Sequence, residues 1–528
     1  MMVPPPISCL YACLLFNPDL ATLPQFLIIQ SCLQKFIGPS PTVLLESFSN
    51  WQKLVTYDHV FVTKPKSAEE IQRTVWAAVT CGIQVSAAGS AHTADPLWVG
   101  RGHVHIRTSE LTLEGGKRMI VQPEIAGKTA ASVKVAAGVT QAELNHELAK
   151  HGYVFHPGPF IGEVTIGGVI ATSSHGGFYN EPSVGGYMTR TRLVDGRGNV
   201  REFRESSDAN VLNALKCNLG LLGILFEIEL KIAHQVEVNF QNVFTPLRNL
   251  FSPTFIRDFV AENYFVNVFY APYNSLTEEE AKAVIRTGRV PKSWDSGNDL
   301  VLIRLMNPIS VKRSFKDERP VSVPNVTVVS PSQDAFIVEL SFPTSVLQNI
   351  SQTLYISLAG VPEVDSMEYV IPDPDFTSGA KILKVMSSVL NRASHLKGIQ
   401  PVQEGLFRWF GGVDCFLCPG SKFRDRGEHG KAGEIDHYGA FHIHNPPTAN
   451  LMQVHAFETA LVTEWDKLGQ HGRPHWGKGL HVFPALKERL RSSYGDNLDK
   501  FKTVRRELDP YGVFTNVFLG ELFDINVP

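Results

Sequence analysis

Two glycine-rich stretches, Val85-Ser-Ala-Ala-Gly-Ser-Ala-His-Thr93 and Val164-Thr-Ile-Gly-Gly-Val-Ile-Ala-Thr-Ser-Ser-His-Gly-Gly177, constrain the fold of this chain more than any other feature. Each closes an apolar, strand-like run with a cluster of Gly, Ser and Thr, and each carries a His near its end. Such turns leave backbone N–H groups bare, and bare N–H groups cradle a diphosphate. Neither stretch has the G-x-G-x-x-G spacing of a dinucleotide-binding βαβ turn, so a nicotinamide-type site is not indicated. Together they predict a large anionic cofactor lying along a groove built from loops.

Between Phe61 and Ile232 the chain resembles the FAD-binding domain of the vanillyl-alcohol oxidase family, the PCMH type. Lys64-Pro-Lys-Ser-Ala-Glu-Glu-Ile71 is similar to the P-x-S-x-E-E-[IV] opening of that domain, and Gly89-Ser-Ala-His-Thr93 to its G-x-G-H-S loop. Leu219-Gly-Leu-Leu-Gly-Ile-Leu225 is similar to the L-G-x-L-G-[IV] segment that closes the flavin site. The resemblance implies FAD held by Gly89, Ser90, Ala91, His92 and Thr93, by Thr165, Gly167, Gly168, Thr172, Ser173, His175 and Gly176, and by Gly223 and Ile224. It also implies that His92 is bonded covalently to the flavin. Ala91 stands where the loop often has Gly, and Thr93 where it often has Ser.

The C-terminal half resembles the aldonolactone oxidase branch, which includes L-gulonolactone, D-arabinono-1,4-lactone and alditol oxidases. Arg473-Pro-His-Trp-Gly-Lys478, Glu368-Tyr-Val-Ile-Pro372 and Arg505-Arg-Glu-Leu-Asp-Pro-Tyr-Gly-Val-Phe514 carry that likeness. Phe48-Ser-Asn-Trp51 is similar to the N-W dipeptide that often starts these enzymes. The resemblance implies catalytic roles for Lys478, Arg408 and His475, and a cation beside the flavin that stabilises the charge of its reduced ring. One departure stands out. The family has a Glu two positions before the Arg, and this chain has Leu406, with Glu404 the nearest preceding acid. Either the strand is shifted or the acid is absent.

The expected fold class is α+β: a two-lobed PCMH-type FAD-binding domain and a substrate-binding cap with a large antiparallel sheet. At 528 residues the chain exceeds one ordinary core. The expected parts are a leader over 1–54, the flavin domain over 55–235, the cap over 236–450, and a return to the flavin domain over 451–528. Ser67 caps a helix running to Cys81, and Thr140 with Glu143 forms a capping box for a helix to Lys150. Residues 84–88, 133–137, 236–243, 264–270, 300–305, 335–342 and 367–371 read as strands, and 307–331 as a loop excursion. Phe441-His-Ile-His444 alternates, so His442 and His444 share one face. They line a substrate pocket or sit on a solvated sheet face.

Apolar residues make up 43% and charged residues 19%, which suits a globular protein. The net charge of −3 gives no electrostatic footprint for nucleic acid. The seven cysteines are unevenly spread. Cys415-Phe-Leu-Cys418 lacks a second pair at zinc spacing, so it reads as two small residues flanking an apolar turn, and no metal is expected. Asn325-Val-Thr and Asn349-Ile-Ser are glycosylation sequons. Ile7–Phe16 and Leu23–Ile37 are apolar but too short to span a bilayer. They read as an interfacial anchor, a targeting segment or a buried leader. Membrane association, at the endoplasmic reticulum or mitochondrion, and a cytoplasmic location are both left open.

The expected chemistry is oxidation of a CH–OH group in a small lactone or polyol by hydride transfer to the flavin, with molecular oxygen reduced to hydrogen peroxide. Substrate contacts fall to Arg408, His442, His444 and Lys478. The alternative is a flavin oxidase or dehydrogenase for a bulkier, less polar alcohol such as a sterol, favoured by Leu406. A non-catalytic flavin-fold protein is the third reading.

Overall fold

The computed structural model describes residues 17–18, 21–97, 100–127, 129–310, 365–422, 436–445 and 449–525, and the strands at 326–329, 335–338 and 345–349. The apolar run Ile7–Phe16 and Asn325 lie outside the described residues.

The first lobe is a four-stranded sheet of β1 (Leu44–Ser49), β2 (Thr56–Thr63), β3 (Val85–Ala88) and β4 (Val104–Arg107), in the order β1-β2-β4-β3. Helices α1 (Leu23–Ile37) and α2 (Ala68–Cys81) pack on it and on each other. Helix α2 begins where the Ser67 hydroxyl accepts from the Glu70 N–H at 3.3 Å, and ends at Gly82 with φ +66°. Phe26, Ile29, Cys32, Leu33 and Ile37 bury one face of α1 in this core. The stretch expected as a leader therefore supplies a helix and an edge strand to the lobe. Among the described residues no helix is long and apolar enough to cross a membrane.

The second lobe is an antiparallel sheet of β5 (Met119–Gln122), β6 (Ser132–Ala136), β7 (Met188–Val194), β8 (Val200–Arg204) and β9 (Ile224–Lys231), ordered β5-β6-β9-β7-β8. Helix α3 (Gln141–Lys150) starts at the capping box of Thr140 and Glu143 read from the sequence. The short helix α4 (Ile166–Ala171) follows Thr165, whose hydroxyl accepts from the Gly168 N–H. The two lobes share one continuous core.

The cap is an eight-stranded antiparallel sheet. Its strands are β10 (Glu237–Pro246), β11 (Phe265–Tyr270), β12 (Leu300–Pro308), β13 (Ser345–Asn349), β14 (Asp365–Pro372), β15 (Glu404–Gly411), β16 (His437–Asn445) and β17 (Arg473–Pro474). They run in the order β13-β10-β12-β11-β15-β16-β14-β17. Alternation sorts the two faces. Met367, Tyr369, Phe407, Trp409, Phe441 and Ile443 are buried against helices α5 (Thr377–Lys397) and α6 (Leu451–Asp466). Glu368, Leu406, Arg408, His442 and His444 face the other way, toward the lobes.

Two expectations are corrected here. Asn307 and Pro308 end β12, and Val326–Val329 is a strand paired with Ala335–Val338, so these parts of 307–331 are not loop. Helix α6 does not return to the flavin lobes, because Leu461, Val462 and Trp465 bury their apolar stripe in the cap core. The return begins after Arg473, and helices α7 (Leu486–Tyr494), α8 (Asp496–Leu508) and α9 (Val517–Phe523) bury Leu490, Phe501, Leu508 and Phe523 in the lobes' core.

Close backbone contact seats the lobes on the cap. The Val266 N–H donates to Gly177 O at 2.9 Å, and a Cβ on Gly177 would lie 2.3 Å from the Val266 carbonyl oxygen. Only glycine fits there.

Candidate active site

A cavity of about 430 Å³ lies between the lobes and the cap sheet. One side is backbone. The turns after β3 (Ala87–Thr93), around α4 (Val164, Thr165, Gly167–Val169, Ala171, Thr172) and before β9 (Asn218–Gly220, Gly223) line it. The two glycine-rich stretches touch, since a Cβ on Gly89 would fall 1.9 Å from the Thr165 hydroxyl oxygen. That close approach builds the groove expected for a diphosphate.

His92 sits in this wall. Its ring stacks on Trp51 at 5.3 Å between centroids, and neither ring nitrogen has a hydrogen-bond partner among the described residues. The loop is held from below. Gln52 Nε2 donates to His92 O at 2.9 Å, the Trp51 N–H to Ala91 O at 2.9 Å, and Asn50 Nδ2 to Thr93 O at 3.0 Å. The Asn50-Trp51 dipeptide thus fixes the loop that carries His92. Burial, and then the charge of Lys478, lower the His92 pKa to about 4, so its ring is neutral at ordinary pH. A neutral imidazole whose buried ring nitrogens have no hydrogen-bond partner among the described residues, in the wall of a glycine-lined groove, fits a flavin and is the nucleophilic form that a covalent link requires.

The opposite side is polar and comes from the cap sheet. Strands β15, β16 and β14 set Leu406, His442 and Glu368 side by side in one row. In the next row Glu404, His444 and Ser366 align in the same way. All six line the cavity, as does Phe269, which pairs with Leu406 from β11. Leu406 lines the cavity two positions before Arg408, and Glu404, one strand period earlier, lines it beside His444.

The fully buried acid in this wall is Glu368. Its Oε1 lies 2.7 Å from His175 Nε2, and its Oε2 accepts from Arg408 Nη2 at 3.2 Å. Arg408 Nη1 also donates to His175 O at 3.3 Å, and the His175 ring stacks on Phe410 at 3.8 Å. Burial alone would raise the carboxyl's pKa, but Arg408, His175 and His475 outweigh it and hold it well below the usual range. His442 Nδ1 is 3.6 Å from Glu368 Oε2, and burial lowers its pKa well below the ordinary value. Neither of its ring nitrogens is hydrogen-bonded among the described residues. Burial lowers His475 to about 3 and Lys478 to about 8, the pull of Glu368 opposing the latter. A neutral base, a paired carboxylate and two cations therefore face one cavity.

Most residues expected at the site line it: Gly89, Ser90, Ala91, His92, Thr93, Thr165, Gly167, Gly168, Thr172, His175, Gly223, Arg408, His442, His444, His475 and Lys478. Ser173, Gly176 and Ile224 do not. Ser173 turns inward and its hydroxyl donates to Ser183. Gly176 lies against the Gly158 carbonyl, and Ile224 is wholly buried in the core. His442 and His444 share the cavity face, with ring centroids 3.9 Å apart. Sequence reasoning assigned no role to Glu368, Trp51 or Phe269. Glu368 and Trp51 stood inside quoted motifs, while Phe269 carried no signal beyond an apolar strand.

Arg473 and Trp476, in the same motif as Lys478, point away from the cavity and hold a turn. Trp476 Nε1 donates to Leu417 O at 2.7 Å, and Arg473 Nη1 to Pro419 O at 3.3 Å. That turn contains a Cys415–Cys418 disulfide, which corrects the reading of two unlinked small residues.

Residues 60–204 match the family model described as FAD binding domain, and 257–522 the model described as D-arabinono-1,4-lactone oxidase. A putative D-arabinono-1,4-lactone oxidase of Neurospora crassa is 24% identical, over 94% of this chain and 90% of its own. L-gulonolactone oxidase 3 of Arabidopsis thaliana is 23% identical, over 90% and 83%. The match to L-gulonolactone oxidase of Mus musculus is 25% identical but covers only 37% of this chain and 42% of that one. Among solved structures, cholesterol oxidase from B. sterolicum superposes with a TM-score of 0.70 at 17% identity, over 93% of this chain and 99% of that one, a likeness of fold.

Proposed function

We infer the function from a family relationship: the chain belongs to the D-arabinono-1,4-lactone oxidase family and is an FAD-dependent oxidoreductase. Its reading is oxidation of a CH–OH group in a sugar-derived lactone, with oxygen as electron acceptor. When bound, FAD supplies the acceptor for the hydride and passes two electrons to oxygen, giving hydrogen peroxide.

The observation that carries the reading is the cluster of Arg408, Glu368, His442 and Lys478 facing the glycine-lined loops across one cavity. Arg408, held by Glu368, and Lys478 offer cationic donors to the oxygens of a polar substrate. His442, neutral and unpaired among the described residues, is the group placed to take the hydroxyl proton. His92 is the proposed point of covalent attachment.

A second reading, a bulkier apolar alcohol, draws on Leu406 and Phe269 side by side in the wall. One experiment separates the two. The flavin-loaded protein is mixed anaerobically with D-arabinono-1,4-lactone, L-gulono-1,4-lactone or cholesterol, and loss of flavin absorbance is followed, then oxygen uptake on readmitting air. Bleaching by a lactone alone supports the first reading. Bleaching by the sterol alone overturns it.

A further inference from the structure

Beside the cavity lies a cluster that the oxidation does not use. Asp365 opens β14 with its side chain 3% exposed, and His455 on α6 and His481, three residues after Lys478, are each 35% exposed. Asp365 Oδ2 is 3.0 Å from His455 Nε2, which is 2.9 Å from His481 Nε2. All three atoms lie within 4.8 Å of one another.

Hydrogen bonds alone do not close this cluster. A ring nitrogen carries either one in-plane N–H or one in-plane lone pair. If His455 Nε2 carries the proton, it serves one of its two neighbours and fails the other. If it carries the lone pair, it accepts from His481 but faces the Asp365 lone pairs at 3.0 Å. A cation at the centre takes all three lone pairs. Ligand bonds of about 2.0–2.1 Å at tetrahedral angles set ligand atoms roughly 3.3 Å apart, close to these separations.

The surroundings are those of a ligand set. The far nitrogen of His481, Nδ1, is 3.3 Å from Asp95 Oδ1, the carboxylate–histidine pairing that orients a metal-binding imidazole. Asp95 Oδ2 accepts the Leu480 N–H, which fixes that carboxylate. Asp365 Oδ1 accepts the Ser366 N–H at 2.8 Å, leaving Oδ2 to point at the histidines.

We propose that Asp365, His455 and His481 bind one divalent ion of the zinc class, with a fourth position open to water. Two imidazoles and one carboxylate suit a borderline Lewis acid, whereas magnesium and calcium require oxygen ligands. The ion would tie β14 to α6 and to the loop bearing Lys478, and through Asp95 to the loop bearing His92. It stiffens the cavity wall and takes no part in the hydride step.

The test needs no turnover, so its failure is separate from failure of the lactone oxidase reading. The full-length flavoprotein is stripped of metal, then titrated with zinc chloride by calorimetry and by thermal unfolding. One equivalent should bind and raise Tm, and magnesium chloride should do neither. His455→Ala and His481→Ala should each weaken zinc binding by about 100-fold, and Asp95→Asn by about 10–100-fold. Cobalt added to the unmodified protein should give the d–d bands of a four-coordinate ion, which keeps the test decisive if a variant does not fold. Absence of zinc binding, an octahedral cobalt spectrum, or unchanged affinity in both histidine variants overturns the proposal.

Discussion

Glu368 and Leu406 lie two strands apart in one row of the cap sheet, with His442 between them. The carboxylate that ion-pairs with Arg408, at 3.2 Å, is thus carried by β14, while the acid on the arginine's own strand, Glu404, lines the cavity beside His444. Leu406 marks an altered pocket surface without removing the carboxylate partner of Arg408.

Glu368→Gln keeps the side chain's shape and removes its charge, leaving Arg408 without its counter-charge. Flavin content should be retained, and the rate of flavin reduction should fall about 100-fold, roughly 2.7 kcal/mol. Stopped-flow absorbance checks this, and a rate within twofold of the parent would refute the role.

His442→Ala removes the proposed proton acceptor, whose ring nitrogens have no hydrogen-bond partner among the described residues. Reduction should slow by about 10²–10⁴-fold, and a solvent deuterium effect on the rate should change with it. If the rate is unaffected, the proton leaves by another group.

Lys478 is cationic below its lowered pKa of about 8. If the charge assists the reaction, activity is full below that value and declines as pH rises through it. Lys478→Arg keeps its charge far above this range, so its profile should be flat there. A parent profile already flat from pH 6 to about 10 would contradict this.

His92→Ala should leave FAD bound but releasable. The parent protein's band on an acidified denaturing gel should fluoresce, and the variant's band should be dark. A dark parent band would remove the covalent link while keeping the cofactor site.

Ala91 has φ +58°, the left-handed region that disfavours a side chain. Ala91→Gly should relieve about 0.5–1 kcal/mol and raise Tm. A lower Tm would mean that ordering the glycine costs more than the strain it relieves.

Several of these features were legible without coordinates. The caps at Ser67 and Thr140 act within three residues, so local sequence sets them. Alternation in Phe441–His444 placed both histidines on one face because the side-chain period of a strand is two. The same local view failed at Ser173 and Ile224, where a motif residue turns into the core, and at Leu461 and Trp465, whose stripe shows a buried face but not which core buries it.

By itself the sequence determined the glycine-rich turns, the helix ends, the strand faces and the family. Only the tertiary structure decided which distant side chains meet. His175 and Glu368 are 193 residues apart, and Asp365 and His455 are 90. No local propensity records such pairings. They arise because strand register and burial of the apolar faces leave these polar groups one shared space, where low dielectric makes each charge depend on its partner.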